Sequence, residues 1–239
     1  MSSPSPQVLH ALTCEVLAAS RRVLIVLAGI NGAGKSSLYH EYIEALAGTA
    51  HPALPFINAD MIARALPQSG DATADTLRAA NLAEQERQRL LATGESFCME
   101  TVFSDRSGHK LEFLKSARRR GYTVVLIFVG LASAELAILR VAQRVLAGGH
   151  PVPADTIRER YPRTLGNFAR ALAFVDLALV YDNSDADLPF QPVSAWRKGR
   201  QILRDGNLPQ WYRDVLFLKQ TTDPLPPMQL QPRGTRQTP

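Results

Sequence analysis

Between an apolar run, Val23-Leu24-Ile25-Val26-Leu27-Ala28, and a helix-like stretch, Ser37 to Leu46, stands Gly29-Ile30-Asn31-Gly32-Ala33-Gly34-Lys35-Ser36. The order is strand, glycine loop, helix, the context in which G-x-x-x-x-G-K-[ST] is a nucleotide-phosphate loop. Glycines here let successive N–H groups turn inward around phosphate oxygens. The start of the following helix adds partial positive charge. On this reading Gly29, Ile30, Asn31, Gly32, Ala33, Gly34, Lys35, Ser36 and Ser37 bind the nucleotide. Lys35 reaches the β- and γ-phosphates as a point charge, and the Ser36 hydroxyl offers one oxygen ligand to Mg²⁺, which keeps most of its waters. ATP and Mg²⁺ are therefore the expected cofactors. Lys35 is placed on a solvent-filled loop, so its loss is expected to spare the fold.

The rest of the pattern alternates strands with helices. A strand is expected near Leu54 to Asn58, a long helix over Ala72 to Ala92, and a strand over Ser96 to Glu100. A helix from Ser107 to Arg120 stops at Gly121, and Tyr122 to Val129 is apolar throughout, as in a strand buried on both faces. Helices over Ser133 to Leu146 and Ala154 to Phe174 precede a fifth strand, Leu177 to Tyr181. The fold class is α/β, a doubly wound parallel sheet of about five strands with helices on both faces, and ligands belong at the carboxyl ends of the strands. After Asp185 a hairpin is expected, Val193 to Trp196 and Arg200 to Leu203, then a helix over Pro209 to Leu218.

Around this core, residues 1–20 read as a loose start and a leading helix, residues 21–220 as the main domain, and residues 221–239, rich in proline and polar residues, as a disordered tail. The 239 residues suit one α/β domain with a sizeable core. A net charge of +5 points to anionic ligands, without choosing between phosphorylated small molecules and nucleic acid. Cys14 and Cys98 are far apart and lack metal-ligand spacing. No apolar run approaches the roughly 20 residues of a membrane span, so a soluble, cytoplasmic protein is expected.

Three strand ends carry the candidate chemistry. Strand two ends in Asn58-Ala59-Asp60, strand three in Glu100-Thr101, strand five in Asp182-Asn183-Ser184. A phosphoryl acceptor needs a carboxylate to orient its hydroxyl and take the proton, and a second often holds Mg²⁺ through water. Asp60 and Glu100 suit these jobs. The competing readings are that Asp60 caps a helix over Met61 to Leu66, and that Glu100 is a solvated residue past a strand. Asp182 and Asn183 read as turn formers. Arg140 and Arg144, four apart on a face pointing away from the apolar stripe of their helix, could be a solvated surface, but they precede Gly148-Gly149-His150-Pro151. Arginines beside a glycine hinge suggest a lid around 140–165, with Arg140 and Arg144 ranked before Arg158, Arg160 and Arg163. Arg118 to Arg120 are explained by the dipole at their helix end.

This ordered set, from the phosphate loop through Asn58-Ala59-Asp60, Glu100-Thr101, Arg140 with Arg144 and Gly148-Gly149-His150 to Tyr181-Asp182-Asn183-Ser184, resembles the zeta toxin family over Arg22 to Ser184. The resemblance implies a three-layer P-loop kinase fold with strand order 2-3-1-4-5 and ATP-dependent phosphorylation. It implies Asp60 as the base, Glu100 and Thr101 as ligands of a sugar-nucleotide acceptor such as UDP-N-acetylglucosamine, lid arginines on phosphate, and an antitoxin protein as partner. The toxins differ in a longer C-terminal part and in a second lid arginine that aligns loosely near His150. A polynucleotide 5′-hydroxyl kinase is the second enzyme reading, disfavoured because no aromatic and basic stacking surface accompanies the charge. A non-enzymatic nucleotide-dependent binding module is the third, and it requires both carboxylates to be structural.

Overall fold

A computed structural model describes residues 4–43, 54–67 and 69–222. A seven-stranded sheet forms its middle layer, in the order β2-β3-β1-β4-β5-β6-β7. The strands are β1 (Val23–Ala28), β2 (Phe56–Ile57), β3 (Phe97–Thr101), β4 (Thr123–Gly130), β5 (Leu177–Asp182), β6 (Gln191–Arg197) and β7 (Arg200–Arg204). The first five are mutually parallel in the expected order 2-3-1-4-5. The expected hairpin forms, but it is not separate from the sheet: β6 pairs antiparallel with β5 and β7 with β6, which raises the strand count from about five to seven. Lys198 and Gly199 turn this hairpin with φ of 48° and 79°, the left-handed geometry that a two-residue connection needs.

β1 is buried along its whole length because it lies between β3 and β4 and is covered on both faces. Its alternate residues enter different cores. Leu24, Val26 and Ala28 meet α4 (Ala72–Thr93), α5 (His109–Arg119), α7 (Ala154–Ala171) and α8 (Gln210–Thr222). Val23, Ile25 and Leu27 meet α1 (Pro6–Ala18), α2 (Lys35–Leu38) and α6 (Ala134–Leu146). The period-two alternation of a strand thus yields the three-layer fold directly. The leading helix α1 starts on a Ser5 cap and buries Leu9 and Leu17 against the sheet.

Element boundaries follow local chemistry. The short helix α3 (Ala59–Ala65) is capped by Asn58, α4 by Asp71, and α6 by Ser133, each side chain accepting a backbone N–H of the first turn. Gly94 ends α4 in the left-handed conformation. Arg118, in the last turn of α5, donates two hydrogen bonds to Asp176, at 3.1 and 3.0 Å, so an ion pair adds to the dipole that the sequence suggested there. The last part of the helix expected to reach Leu46 lies outside the described residues. So does the expected tail from residue 223 onward, while residues 221 and 222 complete α8. Among the described residues no helix is long and apolar enough to cross a membrane.

Candidate active site

The phosphate loop is held where the sheet requires it. A Cβ on Gly29, whose φ is +151°, would stand 2.3 Å from the Val129 carbonyl oxygen of β4, and one on Gly34, φ +91°, would stand 2.6 Å from Asn183 Nδ2. Only glycine lets the loop run this close to its neighbours. Asn183 is more than a turn former: buried at the end of β5, it donates to the Ala33 carbonyl oxygen at 2.9 Å and accepts from Phe190 N–H at 3.2 Å. Asp182 is likewise engaged, accepting from Trp211 Nε1–H at 3.0 Å and from the Ser184 hydroxyl. Both braces depend on long-range packing, which leaves no local signal in the sequence.

Lys35 does not face a solvent-filled loop. It is 5% exposed, donates to the Ile30 carbonyl oxygen at 3.1 Å and lies 3.4 Å from Glu100 Oε1. Glu100 sits beside Leu27 in the β3–β1 register, one residue short of the strand's end. Its Oε2 accepts from the Ser36 hydroxyl at 2.8 Å and from Asn58 Nδ2 at 2.7 Å. The carboxylate is therefore ion-paired through Oε1 and hydrogen-bonded at Oε2, not a solvated residue past a strand. Ser36 Oγ and Glu100 Oε2 form an adjacent pair of hard oxygen donors beside the loop. Among the described residues no group of three or more His, Cys, Asp or Glu side chains could hold a metal. Two donors beside a phosphate cradle suit Mg²⁺ arriving with a nucleotide, since that ion completes its shell with water and phosphate oxygens.

Asn58, not Asp60, caps α3. The Asn58 Oδ1 accepts from the N–H groups of Asp60 and Met61 at 2.8 and 3.2 Å, while its Nδ2 holds Glu100. One buried amide thus fixes the helix that carries Asp60 and the carboxylate across from it. Asp60 is exposed and lines a cleft of about 210 Å³ together with Lys35, Glu100, Thr101 and Arg144. A second cleft, about 520 Å³, shares Asn31, Asp60 and Arg144 and adds His150 and Arg160. Thr101 Oγ1 accepts from Phe103 N–H at 3.0 Å, holding a turn in which Phe103 has φ of 62°. From α7, Thr164 donates to the Val102 carbonyl and Asn167 to the Phe103 carbonyl, which pins this wall of the cleft.

The arginines expected in the lid separate. Arg144 lines both clefts, its Nη2 donating to the His150 carbonyl at 2.8 Å and its Nε buried without a hydrogen-bond partner among the described residues. Arg140 sits over Gly32 and donates to the Ser184 carbonyl at 3.3 Å, away from the Asp60 side. Arg160, ranked behind it in the sequence, enters the cleft and donates to Asn31 Oδ1 at 3.2 Å. Burial first, and the Arg163 charge second, press its guanidinium below the usual value. Arg158 pairs with Asp155 and Glu135, and Arg163 binds the Ser104 carbonyl. Ser37 is exposed in the first turn behind the loop.

The family profile described as Zeta toxin matches residues 10–188. No curated protein matches the sequence. Among solved structures, the AvrRxo1-ORF1:AvrRxo1-ORF2 complex with sulphate ions superposes with a TM-score of 0.62 at 17% identity, over 90% of this chain and 79% of that one. The same complex with ATP gives 0.62 at 16% identity, over 91% and 73%. The PezAT chromosomal toxin-antitoxin system of Streptococcus pneumoniae gives 0.53 at 16%, over 90% and 92%.

Proposed function

The chain belongs to the zeta toxin family, and from that premise we propose that it is an ATP-dependent kinase that moves the γ-phosphoryl group of ATP to a hydroxyl of a small acceptor. A sugar nucleotide of the UDP-N-acetylglucosamine kind is the acceptor this reading favours. The observation that carries it is one cleft lined by the phosphate-loop Lys35, by Asp60, which is relieved of capping by Asn58, and by the anchored Glu100. A switch that only binds nucleotide has no use for a second, open carboxylate facing its phosphate site.

In this reading Asp60 accepts a hydrogen bond from the acceptor hydroxyl and takes its proton as the oxygen attacks the γ-phosphorus. The bond from that phosphorus to the β–γ bridging oxygen breaks, and its electron pair leaves with ADP. Lys35 and Arg144 hold the charge that spreads over the transferring oxygens, and Arg160 narrows the opening against water. Ser36 and Glu100 would hold Mg²⁺, whose charge would offset that of the phosphate groups. Arg140, over Gly32, supports nucleotide binding. An antitoxin protein as partner is part of the same reading.

Replacing Asp60 by asparagine keeps the size and hydrogen-bonding reach and removes the base, so kcat is expected to fall about 10²-fold with ATP affinity preserved. The loss stays below the upper end for general bases because the transition state is loose and needs little early proton removal. Raising Mg²⁺ does not relieve it. A wild-type kcat at every Mg²⁺ concentration removes Asp60 from catalysis, and relief by Mg²⁺ reassigns it to the metal. The reading as a whole is tested by ATP consumption with and without UDP-N-acetylglucosamine: turnover that depends on the acceptor is expected, and equal turnover without it contradicts a kinase acting on that class.

A further inference from the structure

Three consecutive residues at the end of β5 tie three different elements together. Asp182 Oδ1 accepts from the indole N–H of Trp211 in α8 at 3.0 Å, and the same oxygen accepts from the Ser184 hydroxyl. Asn183 donates to the Ala33 carbonyl oxygen of the phosphate loop at 2.9 Å. The Ser184 carbonyl accepts from Arg140 of α6 at 3.3 Å. Helix α8, the phosphate loop and α6 therefore meet at one short piece of backbone. The family profile matches only as far as residue 188, so β6, β7 and the whole of α8 lie beyond it. A residue from that later part supplies the first of the three ties.

Trp211 is buried, and its ring lies against Gly130 at the end of β4, where a Cβ would stand 2.2 Å from the ring carbon Cζ2. The Gly130 carbonyl in turn accepts from the Asn183 N–H at 3.0 Å. The indole thus acts on the junction twice, through its N–H on Asp182 and through its ring on the residue that holds Asn183. Ring packing alone could be served by another aromatic side chain. An N–H donated to a carboxylate oxygen is a charge-assisted bond with a fixed direction, and it is specific to the indole. The neighbouring Tyr212 hydroxyl instead meets Trp196, Gln201 and Ser194, none of which lies in the phosphate loop or in the junction. One helix therefore carries two separate polar anchors side by side.

We propose that Trp211 is a positioning residue for ATP: through Asp182, Asn183 and Ser184 it keeps the phosphate loop and Arg140 in place for the nucleotide, so that a helix outside the family profile sets the affinity for ATP. The inference rests on the assignment of the loop to ATP and not on transfer to any acceptor. With the junction fixed, the loop is ordered when the chain folds. With the junction loosened, that ordering falls on the binding step, and the apparent dissociation constant rises as the binding-ready fraction falls. Asp60 and Glu100 are held by Asn58, which has no part in the junction, so binding is affected more than the chemical step.

A non-hydrolysable ATP analogue with Mg²⁺ is titrated calorimetrically into the full chain, with thermal melting of each variant alongside. Trp211→Phe keeps a ring and loses the N–H, and it weakens the analogue about 10-fold. Asp182→Ala weakens it at least as much, and adding Trp211→Phe to Asp182→Ala causes no further loss, because both act through one bond. Asp182→Asn, which retains an acceptor oxygen, stays within about 3-fold of the wild type. Tyr212→Phe removes the neighbouring anchor and lowers Tm without changing the affinity. Wild-type affinity in a folded Trp211→Phe protein overturns the proposal, and so does an equal loss in Tyr212→Phe, which marks a general loosening of α8. If Trp211→Phe fails to fold, Asp182→Ala decides, and wild-type affinity there overturns the proposal. A wild type that binds no analogue removes the nucleotide site and this proposal together. The expected binding pattern without phosphoryl transfer leaves the proposal standing and removes only the kinase reading.

Discussion

Lys35→Ala is expected to lower kcat/KM for phosphoryl transfer by about 10³-fold or more, because the developing charge on the transferring oxygens loses its principal side-chain counter-charge. The effect is large because the ammonium group is already dry and fixed. It is 5% exposed and held between the Ile30 carbonyl and Glu100, so little water has to be stripped from it when phosphate arrives. The same burial means the substitution also touches stability. Alanine leaves Glu100, whose side chain is 15% exposed, without its cation, although Ser36 and Asn58 still donate to it. A cost of about 1–3 kcal/mol is expected, visible as a lower Tm. Lys35→Met keeps the aliphatic stem and removes only the charge, so it separates the two effects. Near-normal turnover by a folded Lys35→Met protein contradicts the phosphate-loop assignment.

Arg144→Ala is expected to cost about 10³-fold in kcat with little change in ATP affinity, as for an arginine that acts on the transferring group. Its position supports this. The chain after α6 folds back so tightly that a Cβ on Gly149 would stand 2.6 Å from Arg144 Cγ, and Arg144 Nη2 ties to the His150 carbonyl. That leaves a buried Nε donor without a hydrogen-bond partner among the described residues, which the proposed role would pair with a phosphate oxygen. Arg144→Lys restores the charge without the fork and recovers only part of the rate. Arg160→Ala acts on the same step, so the double variant loses less than the product of the two single effects. Arg140→Ala raises the KM for ATP more than it lowers kcat. Unchanged kcat in Arg144→Ala and in the double variant moves both residues to structural roles.

Much of this arrangement was legible in the chain itself, since the apolar run of β1, the glycine loop and the strand–helix alternation are local patterns. The five parallel strands followed from buried apolar runs with helical connections, and the family resemblance supplied their order. What was not legible depends on packing. Asn58 and Asp60 are both good capping residues, and only the actual start of α3 decides that Asn58 caps and Asp60 faces the cleft. The hairpin was readable from its turn residues, but a hairpin pattern does not say which strand edge it joins. Arg158 lies about 160° around α7 from Arg160, while Arg160 and Arg163, three apart, share one side at 100° per residue, so their ranking required knowing which of them reaches Asn31.

The central claim is that a phosphoryl group leaves ATP for an organic hydroxyl rather than for water. The most direct measurement incubates the full chain with Mg²⁺ and ATP carrying ¹⁸O in the γ-phosphoryl group, together with a pool of small metabolites that includes UDP-N-acetylglucosamine, and follows every mass. The account predicts an organic product heavier by a labelled phosphoryl group, about 80 Da plus the label, formed in step with ADP and absent with Lys35→Met. Labelled inorganic phosphate in step with ADP, and no labelled organic product, would contradict it.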